Sequence, residues 1–128
     1  MLVLIAGSRL ATPRMEQQVR AAVARLDLRG YALIVGDAAG VDATAIAAAH
    51  RLGVPHFVVT RRGQRPRHTS PTAVVVHAGC SWTDRDRAMI RRADLGYFVW
   101  NGRSRGTREG YAYMRHLDKT AWLWTAAT

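Results

Sequence analysis

Three short apolar runs in this chain end the same way, and that shared ending restricts the fold more than any other feature. Residues 2–6 stop at Gly7, Ser8 and Arg9. Residues 31–35 stop at Gly36, Asp37, Ala38, Ala39, Gly40, Val41 and Asp42. Residues 95–100, rich in aromatic and β-branched side chains, stop at Asn101, Gly102, Arg103, Ser104, Arg105, Gly106 and Thr107. A helical pattern follows each cluster. Strand, Gly/Ser/Thr loop and helix, in that order, set backbone N–H groups and a helix N-terminus where they can hold an anion. Three tight turns that coincide by chance explain the repetition poorly. One ligand site built from three loops explains it better.

Between the loops the hydrophobic period alternates. Thr12 and Pro13 open a helix as N-cap and first helical residue. Val19, Ala22, Val23 and Leu26 recur at helical spacing, and Arg29 and Gly30 end the segment. Residues 41–52 form a second helix, stopped by Gly53 with Pro55 beyond. Further apolar runs at 56–60 and 73–77 flank an irregular stretch, 61–72, that holds Pro66 and Pro71. A helix runs from about 83 to 92, capped by Thr83 or Ser81, with Asp84 and Asp86 favourably placed in its first turn. A fourth helix spans 108–117, and residues 119–125 make a last, Trp-rich strand.

Strands alternating with helices of roughly ten to fifteen residues predict an α/β chain with a Rossmann-like three-layer α/β/α fold and a mainly parallel sheet. No linker or low-complexity segment interrupts the pattern, so residues 1–128 read as one domain. All three loops follow strands and therefore fall at the carboxyl edge of the sheet, where open α/β sheets bind ligands.

The net charge of +10 comes almost wholly from arginine, since Lys119 is the one lysine. Arginine suits bidentate phosphate contacts, although Arg and Ala together are also what a GC-rich genome yields. Positive potential attracts any polyanion, so charge alone does not separate a nucleotide from a nucleic acid. The densest basic run, 61–68, has no interleaved aromatics for stacking bases and reads as a solvated, mobile loop, although contacts to a base are expected from the irregular 61–80 region that contains it. Cys80 stands alone, and His50, His56, His68, His77 and His116 show no metal-ligand spacing, so no metal is expected. No apolar run approaches the roughly 18–20 residues of a membrane span, and the N-terminus lacks a secretory pattern. A cytoplasmic chain without membrane contact is the expectation.

Each candidate residue has a functional and a plainer reading. Gly7, Ser8 and Arg9 hold and neutralise an oxyanion, or form a simple turn with an exposed arginine. Gly36 and Gly40 permit unusual φ and close approach of a ligand in the loop that also contains Asp37 and Val41. Asp42 binds a ribose hydroxyl, or offsets a helix dipole. Arg85 enters the site if its helix points its N-terminus at the same edge, and otherwise belongs to a solvated first turn. Gly102, Ser104, Gly106 and Thr107, with Asn101, cradle a phosphate. Glu109 lies in the next helical turn, where it serves as a nucleophile or ribose ligand, or merely suits the helix N-terminus. His77 ends a strand at the edge of the expected site. Trp100 also ends one and can stack on a base, whereas Trp122 and Trp124 read as packing. Neither Gly-x-Gly-x-x-Gly nor a Walker A pattern occurs, which leaves dinucleotide-fingerprint and P-loop chemistry without direct support.

On these residues the chain resembles the SLOG superfamily, in particular its YspA/YpsA-related branch. The likeness spans nearly the whole chain. It rests on Gly7-Ser8-Arg9, on the loop from Gly36 to Asp42, on Arg85-Asp86-Arg87-Ala88-Met89, on Ala93-Asp94 and on Gly102-Arg103-Ser104-Arg105-Gly106-Thr107. The resemblance implies a Rossmann-like fold that binds nucleotides or derivatives such as NAD or ADP-ribose, often as sensor or effector. The superfamily also holds the Lonely Guy phosphoribohydrolases, whose signature is Pro-Gly-Gly-x-Gly-Thr-x-x-Glu. Gly106-Thr107 matches its Gly-Thr, but Glu109 comes one residue early, a rotation of about 100° around a helix. Glu109-Gly110-Tyr111-Ala112 is similar, over a short stretch, to nucleoside deoxyribosyltransferases, and the superfamily extends to the nucleotide-fold core of the DNA-processing protein DprA.

Three functions are therefore expected in descending order. The first is binding of a nucleotide or nucleotide-derived ligand, of NAD/ADP-ribose or nucleoside monophosphate type, with no other cofactor implied. The second is an N-glycosidic hydrolase or transferase using Glu109 with help from Asp42 or Asp37. The third is a nucleic-acid-binding module, supported by charge alone. A homo-oligomer paired through the Trp-rich segment or the helix faces is compatible with the sequence.

Overall fold

The structure, a computed structural model, describes residues 1–126. Its elements, in chain order, are β1 (Leu2–Gly7), α1 (Pro13–Arg29), β2 (Ala32–Gly36), α2 (Val41–Leu52), β3 (His56–Thr60), β4 (Val74–His77), α3 (Trp82–Arg92), β5 (Leu95–Trp100), α4 (Arg105–His116) and β6 (Thr120–Thr125). The strands form one sheet in the order β4-β3-β2-β1-β5-β6. Every pairing is parallel, including that of the last strand, so the sheet is wholly rather than mainly parallel.

Alternation along the strands builds the three layers. Successive side chains point to opposite faces, so Val3 and Ile5 of β1 lie on one face and Leu4 on the other. On the first face they meet Met15, Val19 and Val23 of α1 and Val41, Ala45 and Ile46 of α2. On the second, Leu4, Ile34 and Phe98 meet Met89 and Ile90 of α3 and Met114 of α4. Burying each large apolar side chain is worth roughly 1.5–3 kcal/mol, and this double burial is why the strands read as continuous apolar runs. The chain winds outward from β1 to β4, then returns to place β5 on the other side of β1. Its connections therefore diverge between β1 and β5, and the crevice of an open α/β sheet lies outside such a switch point.

Local signals set most boundaries. Thr12 Oγ1 accepts from the Met15 N–H (3.3 Å) and Gly30 closes α1 in the left-handed conformation. Of the two expected caps for α3, Ser81 serves, accepting from the Asp84 N–H at 3.1 Å. The largest boundary difference is at α4, which begins at Arg105 rather than 108. Asn101 Oδ1 accepts from both the Arg103 and Ser104 N–H groups (2.9 and 2.8 Å), and the turn they close delivers the chain into the helix three residues early. At the sheet edge Trp124 packs on the core as expected, but Trp122 is 51% exposed. Among the described residues no helix is long and apolar enough to cross a membrane.

The single lysine closes α3. Lys119 Nζ donates to the carbonyl oxygens of Ile90 (3.0 Å), Arg91 (2.6 Å) and Ala93 (2.8 Å), carbonyls a helix end leaves without partners. Its charge also complements the negative end of the helix dipole. Lys119→Met should cost about 1–2 kcal/mol and lower the melting temperature by roughly 3–8 °C. An unchanged melting curve would mean that water serves these carbonyls equally well.

Candidate functional site

The three loops are fastened to one another at Ser8. Ser8 is fully buried; its N–H donates to Val99 O (3.2 Å), its carbonyl accepts from Val41 N–H (3.1 Å), and its Oγ accepts from Asn101 N–H (3.0 Å). The loops after β1, β2 and β5 thus share one residue. Gly40 completes the junction at a φ of 75°, in the left-handed region, and a Cβ there would run into the carbonyl oxygens of Ser8 and Arg9. No side chain fits at this crossing. Trp100 belongs to the same scaffold: its Nε1–H donates to Ser104 O at 2.8 Å, which fixes the turn.

From that turn α4 opens toward the crevice. Ser104 Oγ and Thr107 Oγ1 lie 3.1 Å apart, and no side chain caps the first-turn N–H groups. Helix N-termini leave such donors without intrahelical partners, and the dipole adds positive potential at the same place. By contrast α1 and α3 are capped by Thr12 and Ser81.

A charged network closes the other side. Asp37 has no solvent exposure, and its Oδ1 receives Arg85 Nη1 at 2.8 Å and Arg67 Nη2 at 2.9 Å. Its Oδ2 accepts the Arg67 backbone N–H at 3.0 Å. Burial by itself would raise the Asp37 carboxyl, but the Arg67 hydrogen bonds outweigh it and hold the group below the usual carboxylate range. Arg85 is buried too; besides Asp37 it serves Asp86 Oδ1, at 2.7 and 2.9 Å, and the Val59 carbonyl at 3.2 Å. Burial raises Asp86, and Arg85 opposes that rise. Asp42 Oδ2 accepts the Ala38 N–H at 3.1 Å, and burial pushes this carboxyl up to about 7 against the pull of Arg85. Gly36 makes room for both groups: a Cβ there would come within 2.6 Å of Arg85 Nη1 and of Asp42 Oδ2.

These parts enclose a cavity of about 120 Å³ at the carboxyl edge of the sheet. Of the residues singled out from sequence, Gly7, Arg9, Asp42, Arg85, Ser104, Gly106 and Thr107 line it. Ser8, Gly36, Asp37, Gly40, Val41 and Asn101 do not line it; Ser8, Gly40, Val41 and Asn101 join the loops, while Asp37 anchors the arginines. Gly102 is exposed on the turn. Glu109 does not line this cavity but a smaller one beside it that shares Asp86, Ile90, Gly106 and Gly110; its side chain is 62% exposed and pairs with Arg105 at 2.8 Å along the helix surface. Thr107 is the inward residue of that turn, and two residues further on the helix has rotated by about 200°. His77 also lies elsewhere, exposed on the edge strand β4 beside Arg62 and Cys80.

Sequence reasoning missed Trp82 and gave Asp86 only a helix-dipole role, yet both line the cavity. It also read the 61–68 run as a solvated loop, while expecting base contacts from the irregular 61–80 region; Arg67 is tied to Asp37, and its guanidinium lies 3.9 Å from the centre of the Trp82 ring. Arg61 and Arg85 stand 4.9 and 5.2 Å from the same ring. The aromatic missing from the basic run in sequence is supplied in space by α3. One local signal was present, an indole next to the Ser81 cap on a helix at the sheet's carboxyl edge.

No protein-family model matches the chain, and no curated protein matches it by sequence. Solved structures do resemble it. The molybdenum cofactor binding protein from the phototrophic bacterium Rippkaea orientalis superposes with a TM-score of 0.85 at 16% identity, over 98% of this chain and 77% of that one. The Moco carrier protein from Chlamydomonas reinhardtii gives 0.81 at 15% identity, over 98% and 76%. DNA processing protein A from Helicobacter pylori, a single-stranded DNA binder, gives 0.71 at 16% identity; it matches 96% of this chain but only 64% of its own length. The shared fold is thus a three-layer, Rossmann-like α/β/α arrangement.

Proposed function

We propose that this chain binds a nucleotide or nucleotide-derived small molecule as a sensor or effector. The phosphate would rest on the first turn of α4, at Ser104, Gly106 and Thr107, with Arg9 neutralising its charge and Asp42 beside the ribose. The observation that carries this reading is the convergence of the β1, β2 and β5 loops, bolted together at Ser8, around one cavity into which an uncapped helix N-terminus opens. Such a terminus presents both donors and a positive dipole end to an anion. The molybdenum cofactor proteins that share the fold support a small-molecule ligand. The position of Glu109 favours binding over catalysis by that residue.

A thermal-shift panel of AMP, CMP, dNMPs, NAD, ADP-ribose and cyclic nucleotides tests the proposal, with each mixture then separated for released base. A ligand at a hundredfold excess over its Kd stabilises the native state by about 2.7 kcal/mol, well within reach of the method. We expect one class of nucleotide to raise the midpoint, and Glu109→Gln to keep that rise. A panel without any shift would sink the reading and turn attention to single-stranded nucleic acid, whose affinity falls steeply with salt. A second reading, cleavage of an N-glycosidic bond, is favoured by one feature: Asp42 is a cavity-lining carboxyl that titrates near 7, the range of a general acid or base. Base release that disappears in Asp42→Asn would support it, and recovery of intact nucleotide would remove it.

A further inference from the structure

The cavity encloses too little space for a whole nucleotide: about 120 Å³, against roughly 300–1,000 Å³ for sites that bury most of a ligand. Part of any nucleotide bound here must therefore lie at the rim. Two aromatic side chains line the cavity, and Phe98 is buried in its floor, which leaves Trp82 as the ring within reach at the mouth.

Strand order sets the positions of the groups along the edge. The α4 turn follows β5, Arg9 follows β1, Asp42 follows β2, and Arg61 and Arg67 follow β3, next to Trp82. In the sheet these strands are consecutive neighbours, β3-β2-β1-β5, each step being about 4.8 Å. Donors for a phosphate, a cation, a carboxyl and an aromatic platform are thus laid out in one line, over a span on the order of 10–14 Å. That suits an extended nucleoside monophosphate and exceeds free phosphate or ribose. The ring face already holds a flat cation, because the Arg67 guanidinium carbon lies over it, 3.9 Å from the ring centre. Guanidinium and nucleobase are both flat groups that stack on indole.

We infer that Trp82 is the base-binding surface of the site. An uncharged nucleobase takes the place of the Arg67 guanidinium on the indole; Arg67 gives up Asp37 Oδ1, which Arg85 still holds, keeps its backbone N–H on Asp37 Oδ2, and shifts its side chain to the outer face of the base. Three guanidiniums around the ring, those of Arg61, Arg67 and Arg85, make this end unfavourable for a cationic ring. The inference rests on the nucleotide reading above and narrows it to ligands that carry a neutral base.

The test compares Kd values for AMP, GMP, CMP and UMP with that for ribose 5-phosphate, by calorimetry, in the unaltered chain, Trp82→Leu and Trp82→Phe. Both substitutions keep an apolar side chain at the first position of α3, and only phenylalanine keeps a π-face. The tightest nucleoside monophosphate should lose about tenfold in Trp82→Leu and recover most of it in Trp82→Phe, with ribose 5-phosphate unchanged in both. Equal losses for nucleotide and sugar phosphate, or no loss, would overturn the role of Trp82. Nucleotides that bind no more tightly than ribose 5-phosphate would overturn it while leaving the phosphate site standing. Failure of every probe to bind the unaltered chain would remove both.

Discussion

Arg85→Ala should lower the stability of this fold by about 3–5 kcal/mol, the cost of removing one partner from a buried ion pair. One guanidinium here serves three acceptors, Asp37, Asp86 and the Val59 carbonyl, at 2.7–3.2 Å. Asp37 has no exposure at all, so water does not replace the lost donor. The melting temperature should fall by roughly 10–20 °C at neutral pH. The penalty should shrink in acid, where a carboxylate left unpaired takes up a proton and no longer has to be buried as an ion. Arg85→Lys should recover only part of the loss, since an ammonium does not reproduce the guanidinium fork that spans Asp37 and Asp86. A fall of less than about 3 °C, roughly 1 kcal/mol for a chain of this size, would show that Arg67 alone holds Asp37. The ligand affinity of any folded remainder should fall too, because Arg85 lines the cavity.

Asp42→Asn should act in the opposite direction, and only above acid pH. Burial raises this carboxyl from 3.8 to about 7 in the folded chain. Below the unfolded value both states carry the proton and the group is neutral in the balance. As pH climbs toward 7 the unfolded chain releases the proton while the native chain retains it, so the native state binds more protons and stability falls. Above 7 the whole displacement has been spent, on the order of 4 kcal/mol. An asparagine never ionises, and its Oδ1 can still accept the Ala38 N–H that Asp42 accepts. The variant should therefore melt on the order of 10 °C higher than the unaltered chain at pH 8 and within a few degrees of it near pH 4. A difference that stays flat across that window would mean that Asp42 is not held in its protonated form. The expected result would mean that the chain keeps an aspartate where an amide is more stable, a sacrifice that fits a group retained for contact with a ligand.

The two results bear on each other. Arg85 is the main influence that lowers the Asp42 carboxyl, so its removal should drive Asp42 further toward the protonated form. Substitutions at the two positions should then fail to add, as expected of groups in one network.

Much of the architecture was legible because it depends on local chemistry. Apolar runs such as 2–6 and 95–100, doubly buried, specify a covered parallel sheet, and Thr12, Ser81, Gly30 and Gly53 mark helix ends through caps and left-handed turns. The three small-residue clusters all lie at the carboxyl edge of the sheet, since a loop that follows a strand of a parallel sheet can lie nowhere else. What only the tertiary structure decided concerns direction and partnership. Glu109 and Thr107 are two residues apart, yet a helix that starts three residues early turns one inward and the other to solvent. Ser8 carries an oxygen suited to an anion, but the residue is fully buried outside the cavity lining, and that oxygen joins two loops by accepting the N–H of Asn101 from 93 residues away. Arg67 is one of several arginines in a basic run, and its selection by Asp37 and Trp82 depends on α3 crossing the sheet edge beside β3. Periodicity and capping act over a few residues and are written in the sequence. The aim of a side chain and the identity of its partner are set by how distant segments pack, and no local pattern encodes that.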